Sequence, residues 1–257
     1  MRIRPAAVAG YFYPGEASEL AREVDLLLSQ PKPALPAPPR GLIVPHAGYL
    51  YSGAIAARAY LTLPEQGFRR VILMGPAHTK AVRGIALPDW THYQTPLGRV
   101  ALDTDALSEL DGRYETRIDN LAHAREHALE VQLPFIQVRL SGCLLLPMVV
   151  GAIRSETLAD CLSALMQPDD LLIVSTDMSH FLTESEAEQR DQHTIARILS
   201  LSDDLLGEEA CGAYPLNGAL CWAKRTGIRP HLVARGNSAQ VSGDHNRVVG
   251  YAAFALC

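Results

Sequence analysis

The sequence predicts a single α/β domain over residues 1–257, with a central sheet, mostly parallel or mixed, flanked by helices on both faces. Two observations predict it. Apolar runs at 41–44 (G-L-I-V), 70–74 (R-V-I-L-M) and 171–175 (L-L-I-V-S) lack the polar alternation of a strand with one wet face. Between such runs lie segments whose apolar residues recur with helical spacing. A hydrophobic content of 48% against 20% charged residues supplies a sizeable core and argues against disorder.

Residues 1–30 read as an N-terminal segment with a helix at 17–28, where Leu20, Val24 and Leu27 share a face. Residues 31–39 (P-K-P-A-L-P-A-P-P) hold five prolines and read as a stiff connector within the domain. The main body follows with a strand at 41–44, a helix at 52–63 and a buried strand at 70–74. Short strands are expected at 84–87 and 99–102. Helices are expected at 104–110 and 126–139, the second bent at Pro134. A strand at 143–150, a helix at 155–166 and a strand at 171–175 continue the alternation. Helices at 184–199 and 217–225 precede closing strands at 230–235 and 247–256.

Charge and length exclude several functions. Twenty-three basic residues against 28 acidic ones, with no basic run, argue against a nucleic-acid binder. The most apolar stretch, 142–153, is too short to span a bilayer and contains Pro147. No apolar stretch of signal-peptide type follows M-R-I-R-P, so a soluble, cytoplasmic protein is expected. Five cysteines without a C-x-x-C pair argue against a disulfide framework or a tetrathiolate zinc site.

Three apolar runs each lead into a polar cluster: P-H-A-G-Y with His46, Tyr49 and Tyr51, G-P-A-H-T with His78, and T-D-M-S-H-F with Asp177 and His180. Ligands of open α/β sheets bind beyond the carboxyl ends of strands. A lone histidine beside an apolar run is more often a hydrogen-bonded loop residue; three such loops point to one crevice. Two neutral imidazoles and a further ligand leave open positions on a metal, and another histidine nearby can move protons. The segment H-A-R-E-H (123–127) matches the inverted zincin spacing. Our reading keeps Glu126 and His127 as pocket-lining residues and places His123 on an exposed loop at a helix N-terminus, with a zinc hydrolase built on the three ranked last.

The chain resembles the Memo family, called AmmeMemoRadiSam system protein B in bacteria and archaea. The resemblance rests on A-G-Y-F-Y-P (9–14), V-P-H-A-G-Y (44–49), M-G-P-A-H (74–78), Y-Q-T-P-L-G (93–98), E-H-A-L-E-V-Q-L-P-F (126–135), P-M-V-V-G (147–151), S-T-D-M-S-H-F (175–181), N-S-A-Q-V-S-G-D (237–244) and V-V-G-Y-A-A (248–253). It implies a fold like that of class III extradiol dioxygenases, which use non-haem Fe(II). By motif it implies His46 and His78 as metal ligands, His180 as the acid–base group and Asp177 as its orienting partner. It places the third ligand, a cysteine in the family, just before the last strand. Counting from N-S-A-Q, that position is Gln240, with Asp244 or His245 as substitutes. An amide is a poor third ligand, so a weakened site is also expected. The resemblance implies Fe(II), with Cu, Zn or no tightly bound metal as alternatives. A ligand pocket is expected to be lined by Tyr11, Tyr13, Tyr49 and Tyr51. The resemblance allows a dioxygenase-like or other redox enzyme. It equally allows a non-catalytic binding or adaptor protein that takes a small-molecule or peptide ligand and acts with AMMECR-type and radical-SAM partners.

Overall fold

The computed structural model describes residues 2–64 and 67–257. The first third of the chain forms β1 (Ile3–Arg4), α1 (Ala17–Leu27), β2 (Gly41–Val44), a π-helical turn (Tyr49–Gly53), α2 (Ala54–Tyr60) and β3 (Arg70–Pro76). The middle forms β4 (Ile85–Leu87), β5 (His92–Thr95), β6 (Gly98–Ala101), α3 (Thr104–Leu110), β7 (Thr116–Ile118), α4 (Asn120–Ala124), α5 (His127–Glu130), α6 (Leu133–Arg139) and β8 (Leu144–Val150). The remainder forms α7 (Ser155–Leu165), β9 (Asp170–Ser175), β10 (His180–Leu182), α8 (Glu184–Leu199), α9 (Ala213–Thr226), β11 (Pro230–Asn237), α10 (Ala239–Ser242) and β12 (Val248–Leu256).

Among the described residues, one sheet of nine strands runs β10-β12-β2-β9-β3-β8-β4-β7, with β11 paired to β12. Its centre, β2-β9-β3-β8, is parallel, while β12 and β4 run antiparallel to their inner neighbours. Every residue of β2, β3 and β9 is buried, which needs cover on both faces of the sheet. Helix α2 packs against β2, β11 and β12, and α9 packs against β3 and β9. A small second sheet orders β1-β5-β6. The mixed α/β architecture expected from the unbroken apolar runs is therefore the one observed. No helix among the described residues is long and apolar enough to cross a membrane.

Two differences from the sequence reading bear on the site. The helix expected over 126–139 is two short helices. Pro134 has no N–H for the carbonyl of Glu130, and it sits instead in the first turn of α6. The short strand β10 begins at His180 and pairs with β12 across a register shift. Phe181, between the two paired residues, takes a positive φ of 59°. A bulky residue in the left-handed region is uncommon and marks a locally forced backbone. The Pro-rich connector carries neither helix nor strand.

Candidate metal centre

Strands β2, β9 and β3 are parallel neighbours, so their carboxyl ends lie side by side. His46 follows β2, His78 follows β3, and Asp177 and His180 follow β9. The convergence expected from the three polar clusters is present. The imidazoles of His46 and His78 stand edge to face with centroids 5.2 Å apart. His127 joins them at 5.3 Å from His46 and stacked 4.6 Å from His78.

The side chain that joins His46 and His78 is Cys211, and Gln240 lies elsewhere. Cys211 Sγ lies 3.3 Å from His46 Nε2, and ligand atoms of His46, His78 and Cys211 all fall within 4.8 Å of one another. Gln240 is exposed on α10 and borders a separate pocket of about 200 Å³ with Glu188, Asp191 and Arg235. Asp244 and His245 are also exposed, and His245 Nδ1 pairs with Glu184 Oε2 at 2.6 Å. Counting backwards from the last strand therefore led to a segment that borders another pocket. The cysteine comes from the turn before α9, which strand-end reasoning does not reach. The turn is held close by Gly212, whose N–H donates to Thr176 Oγ1 at 2.9 Å. A Cβ at Gly212 would stand 2.8 Å from Thr176 Cβ, so a larger residue would push the cysteine away from β9. The run A-C-G-A directly ahead of a helix was the signal available in the sequence.

Hydrogen bonds fix the tautomer of both histidines. The Ser175 hydroxyl donates to Ala128 O at 2.7 Å and receives Gln132 Nε2 at 2.9 Å. With its one proton committed, Ser175 accepts from His46 Nδ1–H at 3.0 Å. His78 Nδ1–H donates to Glu126 Oε1 at 2.8 Å. Both rings therefore carry the proton on Nδ1 and keep a lone pair on Nε2. This is the arrangement in which an outer partner orients a metal-binding imidazole. Burial, reinforced by the neighbouring His78, lowers the His46 pKa to about 3, so its imidazole is neutral at pH 7. Burial and then the Asp177 carboxylate push the Cys211 thiol up to about 12.

Glu126 is buried, and both of its oxygens are committed. Oε2 accepts from the His78 amide at 2.7 Å, and Oε1 accepts from His78 Nδ1 and from the Ala128 amide at 3.0 Å. Burial alone would raise its pKa, yet the His78 hydrogen bond and the two amides outweigh it and hold the group at about 2. A carboxylate this acidic and this engaged is an anchor rather than a proton acceptor. The segment reaches β3 because Gly75 leaves room: a Cβ there would stand 2.9 Å from Leu129 Cδ2. His127 is half-buried between His78 and Phe12, whose ring centroid lies 4.7 Å away. Burial, with the neighbouring His46, lowers its pKa to about 4. His78, Glu126 and His127 also bring donor atoms within 4.8 Å of one another, although Glu126 has already spent its oxygens.

Asp177 orients a different group from the one expected. Its Oδ1 accepts from the His46 amide at 2.8 Å, and Oδ2 lies 3.8 Å from His46 Nε2. Burial raises its pKa. The His180 ring is oriented by a backbone carbonyl: Nδ1–H donates to Met178 O at 2.9 Å, which leaves Nε2 with a lone pair. His180, His78 and Cys211 border one cleft of about 370 Å³ together with Leu182, Arg190, Gly207 and Glu208.

The tyrosines expected to line a pocket have other duties. Tyr13 is buried and donates to Glu130 Oε1 at 2.7 Å, and Tyr49 is buried and donates to Val131 O at 2.8 Å. Tyr11 and Tyr51 are exposed. His123 is held between Tyr93 Oη, at 2.7 Å from Nδ1, and Ala86 O, at 2.8 Å from Nε2. It is buried in a structural contact rather than exposed on a loop as expected, and it stands apart from the candidate metal ligands.

Fold and geometry together define an α/β protein with a two-histidine, one-cysteine donor group at the ends of parallel strands. The chain belongs to the Memo family: a family model described as "Memo-like protein" matches residues 4–255. It is similar to "MEMO1 family protein" of Aquifex aeolicus, 34% identical with 98% of each chain covered. It is equally similar to the relative of that name in Methanosarcina mazei, 35% identical with 100% of each covered, and to that of Sulfurisphaera tokodaii, 35% identical with 97% of each covered. Among solved structures, the uncharacterized protein JW3007 from Escherichia coli K12 shares the fold, with a TM-score of 0.50 and 12% identity. That likeness covers 83% of this chain and 98% of the other.

Proposed function

We propose that this protein binds a first-row transition metal through His46 Nε2, His78 Nε2 and Cys211 Sγ, and uses it on a small ligand held in the adjoining cleft. The observation that carries the reading is that two imidazoles, each tied through Nδ1–H to an outer partner, bring ligand atoms into one small volume with a thiol. Imidazole and thiolate donors suit Fe(II), Cu and Zn. Fe(II), the metal implied by the likeness to extradiol dioxygenases, is our choice among the three. When bound, such a metal supplies Lewis-acid or redox chemistry at its open positions.

The chain's own residues do the rest. Glu126 and Ser175 hold the two histidines in the metal-binding tautomer. Asp177 fixes the backbone of His46. His180, with Nδ1–H tied to Met178 O, presents Nε2 to accept a proton from a ligand in the cleft and to return it later. The reading is tested by anaerobic titration with Fe(II), Cu(I) and Zn(II). Wild type is expected to take up one equivalent. His46→Ala, His78→Ala and Cys211→Ser are expected to lose it, while Gln240→Ala keeps it. Stoichiometric metal retained in Cys211→Ser would sink the proposal.

A further inference from the structure

Arg190 is the one cationic side chain among the seven residues that border the cleft, alongside His78, His180, Leu182, Gly207, Glu208 and Cys211. It also borders the adjoining groove with Leu182, Glu186, Gln189 and His193, so it stands where the two openings meet. Its Nη1 donates to Glu208 Oε1 at 3.0 Å, and Glu208 is the more exposed partner, 68% against 36%. An ion pair this wet is weak, and a ligand anion displaces or shares it readily. A guanidinium presents a planar fork that matches a carboxylate in two parallel hydrogen bonds. The nearby Asp191 does not compete, because its Oδ1 accepts from the Ser179 amide at 3.0 Å.

We infer that the cleft selects a small carboxylate-bearing ligand, its acid group on Arg190 and its reacting end towards His180 and Cys211. This deepens the metal-site reading and rests on it for the chemistry, though not for the binding. Glu208 sets the charge that is tolerated. With the Arg190 charge already partly answered by Glu208, a second negative charge on the ligand meets repulsion, which favours a carboxylate over a dianionic phosphate ester.

The test uses the full chain, with and without metal, and three probes: benzoate, the isosteric neutral benzamide, and phenyl phosphate. Dissociation constants are read by calorimetry or ligand-observed NMR. Wild type is expected to bind benzoate about tenfold more tightly than benzamide, as a charge-assisted pair requires, and more tightly than phenyl phosphate. Arg190→Gln is expected to erase the preference for benzoate, and Glu208→Gln to strengthen benzoate binding. An unchanged benzoate-to-benzamide ratio in Arg190→Gln, a preference for phenyl phosphate, or no benzoate binding at millimolar concentration each overturns the inference. Loss of stoichiometric metal uptake with an intact Arg190 effect would instead defeat the metal-site reading and leave this one standing.

Discussion

Two buried carboxylates four residues apart, Glu126 and Glu130, sit in neighbouring polar clusters of opposite design. Glu130 is fully enclosed. Its oxygens receive Arg4 Nη1 at 2.5 Å, the amides of Ala7 and Val8, and Tyr13 Oη. Arg4 is itself buried, spends Nε on His123 O and Nη2 on Glu126 O, and lies over the Tyr93 ring. Every partner in that cluster is another part of the chain. Glu126 supports a looser cluster: beyond it, the Cys211 thiol meets His46 Nε2 at 3.3 Å, and a His78 nitrogen lies with them in one small volume. Buried polar groups normally find partners. Outer atoms that are satisfied around inner donor atoms that converge are the contrast on which the metal-site proposal rests.

The sharpest way to break this contrast is to open the closed cluster. Arg4→Met leaves Glu130 buried without its counter-charge and is expected to cost about 3–5 kcal/mol of unfolding free energy, read by denaturant titration. A loss below about 1 kcal/mol would mean that the cluster does not hold the fold. Acid comes next. The His123 pKa is lowered by burial from 6.5 to about 4, so the unfolded chain takes up its proton first as pH falls. The stability this histidine contributes is present above about pH 6.5 and drains away as pH falls to about 4, by about 1.4 kcal/mol per pH unit for one proton. His46 and His127 act in the same direction in the metal-free protein. His123→Gln should therefore flatten the acid limb of stability against pH by about one proton, and an unchanged slope would remove His123 from the account.

The open cluster predicts smaller effects on stability and larger ones on binding. Glu126→Gln keeps the shape and removes the charge behind His78; metal affinity is expected to fall by about 10–100-fold in competition titrations with a chelator. Unaltered affinity would make Glu126 a purely structural cap. The smallest effect is expected at Gln240, where Gln240→Ala should leave metal affinity and midpoint temperature within error.

How much of this was legible in the sequence follows from where each donor lies. His46, His78 and His180 stand directly after apolar runs, and a buried parallel strand announces its own end. The family motifs then gave the fold and the two imidazoles. Cys211 was missed because no strand precedes it; it reaches the site through the tertiary fit of Gly212 against Thr176. Tyr13 and Tyr49 read as pocket aromatics because they flank functional motifs, yet their hydroxyls serve Glu130 and Val131 O. The pairing of Asp177 with the His46 amide rather than with His180 depends on the turn geometry after β9, which spacing alone does not carry.

The order of strands in the large sheet has a consequence for how the chain reaches this state. Strand β2 is flanked by β9 on one side and β12 on the other, and β12 also carries β10 and β11. Both edges of a fully apolar strand made early in translation thus await partners made much later, and the His46–Cys211 contact spans 165 positions. Such non-local pairing is slow, because loop-closure entropy is lost before any contact compensates it. One edge of β2 waits for residues 170–175 and the other until residues 248–256 have left the ribosome, which makes that second edge the surface that a chaperone would have to shield longest.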